Sequence, residues 1–198
     1  MDIGQGAGVS GATGVRPFLP ALLIGALARN DSGVDFDSTD YSFLESPTFL
    51  VIVLALAVLA YALNSGTADR GPRAAGLLEG ATGAIGIALG ALLFAGSLAA
   101  DGQTSWWGIP AGILCAALGY FGVAALFGRA RRRLANQPDT RAARSLIDLY
   151  AEGVALALAA LALFVEPAGY AALVVFAFLI FRSRGERGQK YEGLRILR

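Results

Sequence analysis

The chain reads as an all-α integral membrane protein, with six transmembrane helices forming three tandem helical hairpins. Three observations predict this. Of the 198 residues, 56% are hydrophobic and only 16% charged, whereas a soluble domain carries about a quarter charged residues. The apolar residues arrive in six long runs, near 12–28, 47–63, 80–99, 107–127, 148–165 and 168–182, of the length that crosses a hydrocarbon core of about 30 Å. Basic residues then fall on alternate connections between those runs, as the positive-inside rule requires.

The first run lies in "GATGVRPFLPALLIGALAR", residues 11–29. Pro17 is tolerated near a helix start, whereas an interior Pro20 would free a carbonyl and kink the helix. The glycine-rich approach could also turn its amides toward an anion, with Arg16 beside them. Equally it fits a re-entrant opening, which is allowed only where protein or water covers the backbone. These residues leave full span and re-entrant segment both open. "MDIGQGAGVSG" lacks the basic region of a secretory signal, so the first run is expected to be retained.

The second run, "FLVIVLALAVLAYAL", is bulky all round and suits lipid contact. The third carries Gly80, Gly83, Gly86, Gly90 and Gly96; steps of three and four put Gly83, Gly86 and Gly90 on one helical face, where backbones can approach closely. The fourth holds Cys115, a lone thiol that serves as a small hydrophobe. One helix over 149–181 would be about 50 Å long. Glu166-Pro167 therefore divides it into a fifth and a sixth span.

Charges test the count. Segment 29–46 holds Asp31, Asp35, Asp37, Asp40 and Glu45 against Arg29, and 100–106 has Asp101 without a base. The connection 64–79 has Arg70 and Arg73; 128–147 has Arg129, Arg131, Arg132, Arg133, Arg141 and Arg144; the tail has Arg182, Arg184, Arg187, Lys190, Arg195 and Arg198. Both termini are thus expected on the cytoplasmic side of a cell inner membrane. Tyr41, Trp106, Trp107 and Tyr170 would line the outer interface and Tyr150 the inner one.

Ala12-Thr13-Gly14 recurs as Ala81-Thr82-Gly83, with a weaker echo at Ala151-Glu152-Gly153. This spacing predicts hairpin units over about 4–64, 73–128 and 141–183 in one domain, followed by a basic cytoplasmic tail, 184–198. Units of two spans keep one orientation and make parallel repeats. Spans 1, 3 and 5 are expected inside, and 2, 4 and 6 outside.

Ionisable groups within spans point to function. Thr13, Arg16, Glu79, Thr82, Asp148 and Glu152 gather at the expected cytoplasmic openings of the odd helices and are the candidate ligand-binding residues. Each has a plainer reading. Glu79 and Asp148 complement helix dipoles in a first turn; Arg16 snorkels to headgroups or pairs with Glu152. Glu152, backed by "GVALALAALALF", needs a partner, a proton or an aqueous cavity. Arg131, Arg132 and Arg133 are expected to anchor the chain on anionic lipid; no nucleic-acid module accompanies them.

"GVRPFLPALLIGALAR", "RAAGLLEGATGAIGIALGALLFAG" and the ending "KYEGLRILR" together resemble bacterial membrane proteins grouped as domain-of-unknown-function family 4126. Members often carry an acidic, Lys- and Pro-bearing stretch after the second span; "NSGTADRGPRAAG" keeps Asp69, Arg70 and Pro72 but departs from it. The resemblance implies no activity. It does imply that the basic tail belongs to the domain.

Chemistry is limited as well. Without His there is no zinc-protease motif or His-based triad, and the single Lys lies in the tail. No enzyme, cofactor or metal site is expected. The leading expectation is a small transporter or channel for an ion, small solute or lipid headgroup, lined by spans 1, 3 and 5, with self-association completing the path. The competing one is a non-catalytic scaffold or accessory subunit with a membrane-protein partner.

Overall fold

The computed structural model describes residues 3–66, 72–134 and 140–189. They form seven helices: α1 (Ile3–Val15), α2 (Phe18–Ala28), α3 (Pro47–Gly66), α4 (Pro72–Ala100), α5 (Gly108–Leu134), α6 (Thr140–Phe164) and α7 (Glu166–Gln189). Short 3-10 turns lie at Ser42–Glu45 and Ser105–Trp107. Among the described residues there is no strand, and four helices are long and apolar enough to cross a membrane, over Pro47–Asn64, Arg73–Ala100, Ser105–Leu126 and Leu146–Phe164. This is the make-up of a membrane-embedded protein. Phe18–Ala28 and Pro167–Ser183 are shorter apolar helices.

The first expected span is where the chain departs from the six-span reading. The helix begins at Ile3 and stops at Val15. The Arg16 amide still donates to the Ala12 carbonyl at 3.1 Å, but Pro17 has no N–H to continue the ladder. A new helix starts at Phe18 with Pro17 as its N-cap residue. Pro20 therefore falls in a first turn, where a missing donor costs nothing, and not in a helix interior.

The two short helices form a hairpin. Near the start of α1, Gln5 Nε2 donates to the Leu163 carbonyl at 2.9 Å; Gly33, just beyond α2, lies against the Leu163 side chain. Both limbs thus open at the end of the bundle where α6 finishes. Between them Arg16 reaches Asp148 and Glu152, 11–15 residues earlier on α6, a depth of about 17–22 Å. The hairpin enters the bundle and returns to the end from which it started.

The expected arrangement has six spans with the chain starting and ending at one end of the bundle; the described helices differ from it. Gly4 packs on Gly169 at the start of α7, and α7 carries the chain to the opposite end of the bundle. The start of α1 and the end of α7 lie at opposite ends. The expected first unit, 4–64, holds three helices, α1 to α3. Thr13 is not equivalent to Thr82 or Glu152, because α1 runs antiparallel to α4 and α6: Gly6 faces Phe94 and Ser97, Gly86 and Gly90 face Thr13, and Gly8 faces Ala162. The recurring triplet is not a structural repeat.

α1 fills the axis, enclosed by α4, α5, α6 and α7, with every residue from Gly6 to Val15 buried. Glycine allows this. A Cβ on Gly14 would strike the Ala116 carbonyl, one on Gly119 the Gly11 carbonyl, and one on Gly169 the Gly4 carbonyl. Helices in lipid gain association energy from such close backbone approach. Ser10 and Thr13 are fully buried and spend their hydroxyls locally: Ser10 Oγ donates to the Gly112 carbonyl at 2.7 Å and Thr13 Oγ1 to the Ser10 carbonyl at 2.8 Å. The expected small face of α4 is real, Gly83 taking the Tyr120 ring and Gly86 and Gly90 taking α1. In its apolar window α4 is 61% buried and α3 only 6%, so α3 is peripheral as expected.

Two outcomes follow. Gly14→Ala or Gly119→Ala should cost about 1–3 kcal/mol, read as a lower Tm in detergent, while Gly153→Ala, whose Cβ meets nothing, should leave Tm unchanged or raise it. In a Cys115→Ser background, exposed positions Ile3→Cys and Arg182→Cys should react with an impermeant thiol reagent from opposite sides of sealed vesicles; labelling from one side would contradict a re-entrant hairpin.

Candidate functional site

Breaking the helix at Arg16 leaves a cation at a hairpin tip inside the bundle, where charge without a partner is expensive. α6 supplies the partners. Its apolar stripe, Ala151, Ala155, Ala159, Ala162 and Leu163, is buried, and Ala155 packs with Val15 and Phe176. Asp148 and Glu152, four residues apart, share a helix face that both carboxylates use to reach Arg16.

Arg16 Nη2 donates to Asp148 Oδ1, and Arg16 Nε lies 3.6 Å from Glu152 Oε1. Asn64 Nδ2, from the end of α3, approaches Asp148 Oδ2 at 3.5 Å, the outer limit of a hydrogen bond. The side chains are a quarter to a third exposed, so the cluster sits at an edge of the apolar core. Two carboxylates and one guanidinium leave a formal charge of −1. Glu152 Oε2 is buried without a hydrogen-bond partner among the described residues. Chemically the cluster can hold a proton or a small cation on that oxygen.

Three of the six expected site residues thus come together. Sequence reasoning paired Arg16 with Glu152, yet Asp148 makes the closer contact. Thr13 lies deeper on α1, turned to Gly90. Thr82 Oγ1 donates to the Leu78 and Glu79 carbonyls of its own helix, each at 3.0 Å, and Glu79 is exposed on α4. Arg131, Arg132 and Arg133 lie in the last turn of α5, outside the residues whose side chains are described. Asn64 was missed; its only sequence signal is an amide closing the apolar run "YALN".

Charge balance orders the variants. Arg16→Met strands two acids and should lower Tm most, by an amount corresponding to about 1–3 kcal/mol after allowing for partial exposure. Glu152→Gln leaves a neutral Arg16–Asp148 pair and should be mildest. Thermal unfolding in detergent reads this order; a larger loss in Glu152→Gln than in Arg16→Met would contradict the geometry.

Comparison with known proteins gives one match. No curated protein and no solved structure matches the chain, but a family model described as "Domain of unknown function (DUF4126)" matches residues 3–185. That span runs from the first residue of α1 into α7, so it takes in both the central hairpin and the acids that meet its tip. The chain belongs to the DUF4126 family.

Proposed function

We propose that the protein is a small membrane transporter that moves a proton or small cation, or couples one to a solute, through the charged tip of the α1–α2 hairpin. One observation carries this reading: Arg16 stands at the hairpin tip between two acids, and Glu152 keeps a buried oxygen without a hydrogen bond. Ionisable groups are costly at membrane depth and typically mark ion paths and proton relays. The pathway differs from one lined by three odd spans, since α1 occupies the axis. Loading Glu152 would weaken its hold on Arg16 and free the tip to move, so transport here is gated and not an open pore.

The arginines of "GRARRRLANQ" and of the chain after α7 favour the end opposite the acidic loop as the cytoplasmic side. The bilayer is then a cell inner membrane, with Arg131, Arg132 and Arg133 on anionic headgroups. The start of α1 would face outside.

Purified protein in liposomes tests this. A pH-sensitive dye inside the vesicles should report proton or cation flux above empty liposomes, reduced at least about tenfold in Glu152→Gln while that variant keeps its Tm. Absence of flux for protons, alkali cations and anions would overturn the reading.

A second reading, a non-catalytic scaffold or accessory subunit, is favoured by the tight axial packing and by the bulky exposed faces of α3 and α7, including Val51, Leu54, Val58, Val174, Phe178 and Phe181. A stoichiometric membrane partner co-purifying in mild detergent, with no flux in vesicles, would favour it.

A further inference from the structure

The acidic loop between α2 and α3 lies at the other end of the bundle from Arg16. Its sequence reads as merely polar and irregular, but the fold arranges it. Asp31, Asp35 and Asp37 bring one carboxylate oxygen each to within 4.8 Å of one another. Exposed acids do this often, and these three alone would mean little.

Glu45 changes that. It closes the loop in the 3-10 turn Ser42–Glu45 and is only 7% exposed. It shares a cavity wall with Asp37, and the charges of Asp37 and Asp35 both act on it, so it faces the cluster. Its Oε1 is sealed from water and has no hydrogen-bond partner among the described residues. Carboxyl groups gathered around one cavity favour a positive charge between them, either a proton or a cation. Burial and, next, Asp37 push the Glu45 carboxyl above the ordinary carboxylate range. Glu45 and Asp37 also line one cavity with Ser42, Ser46, Ala28 and Arg29. Arg29 is the only base lining that cavity, against four carboxylates in and around it.

We propose that Asp31, Asp35, Asp37 and Glu45 form a divalent-cation site, with calcium the cation it takes. The donors are all hard oxygens, which suit calcium or magnesium and not softer metals. Calcium accepts six to eight oxygens in loose geometry, while magnesium requires a near-ideal octahedron and keeps its waters. A loop offering four carboxylates, three of them exposed and adjustable, suits the former. The ion would neutralise the buried Glu45 and tie the end of α2 to the start of α3.

The test uses the full chain in detergent at constant ionic strength. Radiolabelled calcium should bind one ion per chain, half-saturating at about 0.1–1 mM as exposed extracellular sites do. Excess magnesium should compete poorly, and 10 mM calcium should raise Tm by about 5 °C. Asp35→Asn with Asp37→Asn, both at exposed positions, should weaken binding at least about tenfold, and Glu45→Gln should do the same while remaining folded without calcium. If a proton and not a metal joins the pair, calcium will neither bind nor shift Tm, and Glu45→Gln will simply raise it; that result overturns the proposal. So would calcium binding that survives the double Asp→Asn change. The Arg16 cluster plays no part in these measurements, so their outcome is separate from that of the flux experiment.

Discussion

Pro17 has no hydrogen to give the Thr13 carbonyl, and from that missing bond the rest of the architecture follows. A helix running on from α1 would have crossed the membrane and put each later helix in the opposite sense. Because the ladder ends at Arg16, the chain turns inside the bundle and returns to the end from which α1 starts. The turn leaves a guanidinium inside, and that charge dictates what α6 must carry. Asp148 and Glu152 are therefore consequences of the break as much as independent features.

A half-length helix in the middle of a bundle has weak claims to stability. It is short, rich in glycine, and has no lipid-facing side to hold it in place. What holds it is contact between backbones: Gly14 on Ala116, Gly119 on Gly11, Gly169 on Gly4, with Ser10 bound to the Gly112 carbonyl. The same glycines that make α1 a poor isolated helix let four neighbours close around it. The broken helix and the dense centre solve one problem together, since unpaired backbone at a membrane break is tolerated only when protein covers it.

Much of this was legible in the sequence. The second to fifth apolar runs became α3 to α6 because length and hydropathy alone decide them, and the sixth became the shorter apolar stretch of α7. The turn at Glu166-Pro167 and the glycine face of α4 could be read for equally simple reasons. α1 could not: "IGQGAGVSGATGV" is too short and too weakly apolar to register as a membrane element, and its burial depends on neighbours more than seventy residues away. The Ala-Thr-Gly recurrence then misled, because a triplet fixes neither direction nor depth. Because the first run is two short helices and not one span, the start of α1 and the end of α7 fall at opposite ends of the bundle. At the site, spacing showed that Arg16 and the two acids belonged to one layer. Which acid lies nearer depends on how α6 is rotated, and no sequence pattern states that.

The position of α1 also bears on how the protein is made. Its residues are synthesised before those of α4, α5, α6 and α7, which bound its resting place, the last of them by more than a hundred residues. Until those helices have been inserted, the polar, glycine-rich limb has nowhere in the bilayer to go and must wait at the surface or in the care of the insertion machinery. α1 thus precedes in synthesis the four helices that its seat requires.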